Sequence, residues 1–355
     1  MDEETYMARC IEVARMGEGN TEPNPMVGSV IVYKDQIIGE GYHHIYGEAH
    51  AEVNAIESVA DKSLLPKATL FVNLEPCSHY GKTPPCSDRI IREGIKKVVI
   101  GTEDPNSLVA GEGIKKMRSA GIQIKTGILA DECYYLNRAF FTYHNNKRPY
   151  VILKWAQTTD GYMDIKRQAG ESPHVNWITG KSLKTLVHRW RAHNAAILVG
   201  TVTAFNDDPQ LNVREWKGNN PLRLVLDENN ILPENLKLFN QEIPTLVFCR
   251  HAKTNKANLK YVELDFNKPI IPQILDYLYE LNLQTLMVEG GKLLLDSFID
   301  VGLWDEIRVL SGDRFFYEGL KAPKIPKHAK TIDHVGKDRF IHVINENNPF
   351  LKLKN

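Results

Sequence analysis

Neither sign of charge predominates in this 355-residue sequence: 44 Lys+Arg are balanced by 44 Asp+Glu. That excludes a bulk polyanion-binding surface and argues against nucleic acid as a partner, while leaving room for a local basic pocket. Cysteine is scarce, at five residues. An odd, small number in a long chain excludes a disulfide framework and favours metal or redox chemistry. No apolar run approaches the ~20 residues that cross a bilayer. The opening MDEETYMARC has neither the basic start nor the apolar core of a secretion signal. A soluble, cytoplasmic protein with no membrane partner is therefore expected. Repeats and low-complexity tracts are missing, and no G-x-G-x-x-G follows an apolar strand, so a standard dinucleotide site is not indicated. At 43% hydrophobic and 25% charged residues, the chain reads as globular rather than disordered or coiled-coil.

What is present is alternation. Residues 4–16 have helical spacing, with Met7, Ile11 and Ala14 on one stripe. A Pro-rich turn leads into an apolar strand ending near Tyr33, and Lys34-Asp35 turns it into a second strand, QIIGEGYHH. Helix 50–60, strand 68–74, a Pro/Gly-rich loop, helix 86–94, strand 96–102, helix 111–121 and strand 122–128 follow. The polar HNNKRP then reads as a linker. Beyond it YVILKWA, AAILVGT, PLRLVLD, TLVFCR, TLMVEGG and EIRVLSG read as strands, interleaved with helices over LKTLVHRWRA, IPQILDYLYELN and LLLDSFIDVG. DRFIHVINE reads as a last strand. Strand–helix alternation in two blocks predicts two α/β layered domains, 1–146 and 147–355.

The sharpest chemistry lies in His50-Ala51-Glu52, Pro76-Cys77 and Cys86. A catalytic zinc takes three protein ligands and leaves a position for water, and one imidazole with two thiolates balances the dication. Glu52 falls two residues past His50, in the first turn of a helix, where it can shuttle protons without ligating. H-x-E with P-C is the signature of zinc deaminases, whose second cysteine usually follows in C-x-x-C. Here SHYGKTPP separates Cys77 from Cys86. That longer loop carries His79 and Lys82, cations placed to reach a substrate phosphate. His79 is also the nearest candidate for a fourth ligand, which a purely structural zinc would need.

In the second block, Lys154 stands on a strand that ends in Asp160-Gly161. Arg189 and Arg191 lie on a helix, and NDDPQLNVR over 206–214 packs acids, Pro and Arg into a loop. Val288-Glu289-Gly290-Gly291 ends a strand before a helix, a natural cradle for phosphate. Gly-Gly also serves as a simple tight turn, Arg191 reads equally as a surface residue, and Asp207 as a turn-former or cap.

Together these motifs resemble the bifunctional deaminase–reductase family of riboflavin biosynthesis, over nearly the whole chain. PNPMVGSVIV, HAE, EPCSHYGKTPPC and DPNSLVAGEGI are similar to its deaminase half. RPYVILKWAQTTDG, WITG, HRWRAHNAAILVGTVTAFNDDPQLNVR and VEGG are similar to its reductase half. The resemblance implies a cytidine-deaminase-like layered domain followed by a dihydrofolate-reductase-like domain, with zinc and NADPH as cofactors. It implies deamination of a small phosphorylated pyrimidine, 2,5-diamino-6-ribosylamino-4(3H)-pyrimidinone 5′-phosphate, then reduction of the ribosyl side chain to ribityl. By motif position His50, Cys77 and Cys86 hold zinc, Glu52 carries protons, and Asn24 faces the pyrimidine. Ala156, Trp177, Thr203 and Asp207 fall on NADPH contacts, as do Gly291, Lys292, Leu293, Leu294, Leu295, Asp296 and Ser297. Lys154, Ser172, Arg191, Leu211, Arg214 and Glu289 fall on substrate contacts, with Arg191 and Arg214 suited to two-pronged phosphate binding. A homodimer is expected.

Two stretches depart from the family. GESPHVNW over 170–177 is longer than usual, and SGDRFFYEGL over 311–320 lacks the expected Gly-rich pattern. The second departure keeps open a deaminase whose C-terminal domain has lost or altered its reductase activity. A zinc deaminase acting on RNA or nucleosides is disfavoured by the cysteine spacing, the neutral charge and the whole second block. A zinc-stabilised scaffold would have no use for Glu52.

Overall fold

The structure is a computed structural model and describes residues 2–80, 84–106, 110–168, 172–328 and 330–348. The chain folds as two compact units, one running to Lys147 and the other starting at Arg148. No helix among the described residues is long and apolar enough to cross a membrane.

The first unit opens with α1 (Glu3–Ala14), capped by Asp2, whose side chain accepts the Thr5 N–H. The predicted stripe of Met7, Ile11 and Ala14 is buried. A hairpin follows, β1 (Gly28–Tyr33) and β2 (Gln36–Tyr42). Its two-residue turn holds Lys34 at φ 48° and Asp35 at φ 59°, the left-handed pair that matches strand twist in tight hairpins. Then come α2 (Ala51–Ser58), β3 (Thr69–Leu74), α3 (Cys86–Arg92), β4 (Lys97–Thr102), α4 (Glu112–Ser119) and β5 (Gln123–Thr126). Two further helices end the unit, α5 (Ala130–Leu136) and α6 (Arg138–Asn146).

The strands pair in the order β2-β1-β3-β4-β5, antiparallel across β1 and parallel from β3 onward. Side chains alternate between two cores. Ile31, Leu70, Val72, Val98 and Ile100 pack with Ile56, Ile90 and Met117 on the face that carries α2 to α4. Val30, Phe71 and Val99 pack on the other face with Met7 and Cys10 of α1 and Cys133 of α5. Burial on both faces explains why β3 and β4 read as unbroken apolar runs.

The second unit comprises β6 (Tyr150–Thr158), β7 (Tyr162–Asp164), α7 (Lys181–Ala192), β8 (Ala196–Gly200), α8 (Thr201–Asp207), β9 (Leu222–Leu226), β10 (Thr245–Cys249) and β11 (Leu259–Glu263). It continues with α9 (Ile270–Glu280), β12 (Thr285–Gly290), α10 (Lys292–Asp300), β13 (Glu306–Gly312), β14 (Leu320–Lys321), β15 (Lys330–Val335) and β16 (Asp338–Ile344). A nine-stranded sheet runs β11-β10-β9-β8-β12-β6-β13-β16-β15. It is parallel from β11 to β13 and antiparallel across β16 and β15. The strand order reverses direction around β8, β12 and β6. In open parallel sheets ligands settle outside the carboxyl ends of strands at such a point.

The structure adds elements to the sequence reading. Residues 130–143, given no element there, form α5 and α6 together with 144–146, which read as linker, and α8 takes in Asn206 and Asp207, which read as loop. β7, β11, β14 and β15 are also new. They are short or exposed and carry little alternation. The atypical 311–320 stretch is anchored: the Phe316 and Tyr317 N–H groups donate to the Asp160 carboxylate.

Candidate functional site

In the first unit His50 is the N-cap of α2, Cys77 follows β3, and Cys86 opens α3. Three separate elements therefore converge, and their ligand atoms lie within 4.8 Å of one another. His50 Nδ1 is 3.5 Å from Cys77 Sγ and 3.3 Å from Cys86 Sγ. Tetrahedral zinc with Zn–S ~2.3 Å and Zn–N ~2.0 Å requires an N···S separation of about 3.5 Å. The donor set and its spacing fit zinc. The Cys86 N–H also donates to Cys77 Sγ at 3.3 Å. Hydrogen bonds from the Cys86 thiol, His50 and this N–H hold Cys77 well below the ordinary thiol range.

Glu52 is 3% exposed in the first turn of α2. Burial, reinforced by the Cys77 charge, raises its carboxyl to about 7, a value matched to proton transfer near neutrality. Asn24 Nδ2 lies 3.1 Å from His43 Nε2, and the His43 ring stands edge-on to His50 at 5.2 Å. His43 is buried and its pKa is lowered, chiefly by desolvation. His79 is exposed and stands apart from the ligand cluster, so the fourth-ligand reading does not hold: the loop turns it to solvent. Lys82 lies outside the described residues.

In the second unit a cleft of about 1020 Å³ opens at the carboxyl ends of β6, β8 and β12. Lys154, Ala156, Trp177, Arg191, Thr203, Asp207, Leu211, Arg214, Glu289 and Gly291 all line it. Its centre is a buried charge cluster. Arg191 Nε and Nη2 donate to Glu289 Oε1 and Oε2 at 2.8 and 2.7 Å, and Lys154 Nζ is 3.6 Å from Glu289. Burial pulls Lys154 down from its ordinary value. Burial would raise Glu289, but Arg191 and Lys154 overcome it and hold the carboxyl at about 2. Asp207, raised to about 6 by burial, takes a hydrogen bond from Arg167 at 2.9 Å.

The cradle after β12 also has a defined build. A Cβ on Gly290 would come within 3.0 Å of Thr203, and Gly291 sits at φ 82°. Lys292, Leu293 and Leu294, the first turn of α10, face the cleft. Their N–H groups precede the first intrahelical donor, Leu295. A helix start of this kind fits a dinucleotide pyrophosphate.

The chain's first 102 residues match the family described as the cytidine and deoxycytidylate deaminase zinc-binding region, and residues 149–316 match the RibD C-terminal domain. It is 42% identical over 323 residues to riboflavin biosynthesis protein RibD of Aquifex aeolicus (strain VF5), covering 90% of this chain and 89% of that protein. The chain belongs to the RibD family. The RibD of Escherichia coli (strain K12) is 32% identical over 97% of this chain and all of its own length. A crystal structure of a diaminohydroxyphosphoribosylaminopyrimidine deaminase/5-amino-6-(5-phosphoribosylamino)uracil reductase from Thermotoga maritima superposes with a TM-score of 0.86 at 37% identity. It covers 96% of this chain and 98% of that one. As a RibD-family protein the chain is a bifunctional enzyme of riboflavin biosynthesis, a zinc-dependent deaminase joined to an NADPH-dependent reductase. Its folds are cytidine-deaminase-like and dihydrofolate-reductase-like.

Within this RibD-family frame four sequence expectations need correction. Arg191 gives both prongs to Glu289 and its Nη1 to the Asn212 carbonyl, so its fork is not turned to a phosphate. Leu295 faces away from the cleft: its side chain is in the core and its N–H bonds the Gly291 carbonyl. Asp296 pairs with Lys292 and does not line the cleft, whereas Ser297 does. Ser172 is exposed and outside the lining. The sequence reading missed His43, Arg167 and His188, which lines the cleft and whose Nδ1 accepts the Arg214 N–H at 3.3 Å. It also gave no role to Glu75, whose carboxylate accepts the N–H groups of Asp104, Gly111 and Ile114. A charged residue directly before Pro-Cys was the available signal for Glu75. No local pattern marks the other three.

Proposed function

We propose that the first unit hydrolyses the 2-amino group of 2,5-diamino-6-ribosylamino-4(3H)-pyrimidinone 5′-phosphate, and that the second reduces the resulting ribosyl side chain to ribityl. The observation that carries the reading is the buried Glu52 beside the His50, Cys77 and Cys86 cluster, in a chain that also contains the charged reductase cleft. When bound, zinc supplies Lewis-acid activation of the attacking water, and NADPH supplies the hydride. Glu52 takes one proton of the attacking water and passes it to the ring nitrogen, then takes the second from the new C–OH group and passes it to the departing amine. The C–N bond breaks and ammonia leaves. Asn24, steadied by His43, orients the pyrimidine.

In the cleft the α10 start and Lys292 hold the dinucleotide phosphates, and Thr203, Asp207, Ala156 and Trp177 seat the rest of the cofactor. Lys154, paired to Glu289, faces the ribosyl group, and Leu211 packs against the substrate. Arg214 carries the phosphate contact, since Arg191 is held by Glu289. The assignment of residues 1–146 to deamination and 147–355 to reduction belongs to the same reading. So do a cytoplasmic location, which suits five free thiols, and a homodimer free of nucleic acid and membrane.

The test is a zinc-loaded assay that follows ammonia with and without NADPH. Ammonia without NADPH, then NADPH oxidation on its addition, supports both steps and their order. Ammonia without any NADPH consumption would leave a deaminase alone. No ammonia from zinc-replete protein would overturn the reading.

A further inference from the structure

Arg223 stands on β9 and is 1% exposed. A guanidinium this deep normally meets a carboxylate. This one bonds neutral oxygens. Its Nε donates to Thr245 Oγ1 at 2.9 Å, its Nη1 to the carbonyls of Gln210 and Lys237 at 3.3 and 3.1 Å, and its Nη2 to the Ile243 carbonyl and Asn240 Oδ1 at 2.9 and 3.1 Å. Burial lowers it to about 10, so it stays charged at neutral pH. The planar fork joins three stretches of chain: the 208–214 loop, the 237–243 segment and β10. A second tie links the first two, since the Lys237 N–H donates to Asp208 Oδ1 at 2.7 Å.

The 208–214 loop is the one that carries the cleft's cationic end. Next to Gln210, Leu211 is buried at φ 49°, a left-handed backbone that a non-glycine residue keeps only when held from both sides. Asn212 follows, and Gln210 Oε1 accepts its Nδ2 at 3.1 Å. The Asn212 carbonyl accepts Arg191 Nη1 at 3.2 Å, and its Oδ1 accepts Arg214 Nη1 at 2.9 Å. Arg223 thus holds Gln210, Gln210 holds Asn212, and Asn212 holds the Arg214 guanidinium while its carbonyl meets the one Arg191 nitrogen that Glu289 leaves over.

We propose that Arg223 is a positioning residue that fixes the 208–214 loop so that Arg214 meets the substrate phosphate. This rests on the placement of Arg214 against that phosphate made above. Lysine cannot replace Arg223, because one ammonium with three donors cannot span Gln210, Ile243 and Thr245.

The experiment uses the full chain and the reductase substrate with and without its 5′-phosphate, and reads the ratio of the two kcat/KM values. Arg223→Lys is expected to lower that preference roughly tenfold through KM for the phosphorylated substrate, leaving kcat within about threefold. Deamination by the same preparation and NADPH binding by fluorescence stay unchanged, which separates positioning from general loss of fold. Arg214→Gln is the reference. A preference lost in Arg214→Gln but kept in Arg223→Lys overturns the role of Arg223 and leaves the phosphate assignment standing. A preference kept in both overturns both. If Arg223→Lys does not accumulate, Asn240→Ala, which removes one surface acceptor, decides. A drop of about twofold supports the role and an unchanged ratio ends it.

Discussion

Arg191 and Glu289 meet fork to fork, Nε to Oε1 at 2.8 Å and Nη2 to Oε2 at 2.7 Å, with side chains only 11% and 6% exposed. Two parallel charge-assisted hydrogen bonds fix the carboxylate's plane as well as its charge. Glu289 in turn anchors Lys154 at 3.6 Å. The pair therefore acts as a fixed support at the floor of the reductase cleft.

This arrangement has a measurable pH signature. Glu289 is held at about 2, below its ordinary 4.5. A depressed carboxyl contributes stability above its unfolded pKa and loses it as pH falls toward the folded value. The contribution is on the order of 3 kcal/mol, full above about pH 4.5 and fading toward about pH 2. Urea unfolding of wild type and Glu289→Gln should differ by that order near neutrality, and the gap should narrow in acid. A gap independent of pH would show that Glu289 is not ionised by its neighbours. Reduction should fall in the variant while deamination persists.

Glu52→Gln separates proton transfer from metal binding. The amide keeps the shape but cannot accept the water's proton. The kcat for deamination should drop about 10²–10⁴-fold, with zinc content by atomic absorption unchanged and reduction of pre-deaminated substrate intact. Loss of zinc alongside activity would reassign Glu52 to a structural part.

Glu75 should prove to hold the zinc loop. It sits two residues before Cys77 and collects the N–H groups of Asp104, Gly111 and Ile114 at 3.3, 3.0 and 3.1 Å. Gly113 crosses so close that a Cβ there would lie 2.1 Å from the Pro76 carbonyl oxygen. Glu75→Ala leaves three donors unmet, two of them buried, and should cost about 2–3 kcal/mol in the first unit. Zinc affinity should weaken with it, because Pro76 and Cys77 lose the packed backbone beside them. An unchanged melting temperature and zinc affinity would sink the idea.

The sequence exposed most of this architecture because most of its signals are local. β3 and β4 are apolar runs bounded by turn residues, and α1 carries its stripe of Met7, Ile11 and Ala14. The candidate zinc ligands His50, Cys77 and Cys86 stand in motifs whose residues are neighbours along the chain. What stayed hidden depends on contacts distant in sequence. His43 matters through Asn24 and His50, and Arg167 through Asp207. Arg191 read as a free cation until Glu289, far along the chain, took its fork. α5 and α6 were unreadable because ADECYYLNRAFFTYHNN breaks at Asn137 and mixes aromatics without a clean period.

The first turns of α10 give the sharpest case of that distinction. Residues 291–297 formed one continuous phosphate-binding stretch when read as sequence, but a helix rotates successive residues by about 100° and sends neighbours to opposite sides. Leu293 is 78% exposed on the cleft, and Leu295 is fully buried with Phe298, Val288 and Leu198. The two leucines should part company on truncation to alanine. Leu295→Ala opens a cavity and should lower the stability of the second unit by about 2–5 kcal/mol. Its folded fraction should bind NADPH as wild type does. Leu293→Ala should leave stability within about 0.5 kcal/mol while weakening NADPH binding measured by fluorescence titration. Equal effects of both variants on cofactor affinity would mean that the helix binds as a block, and that Leu295 serves the cofactor after all.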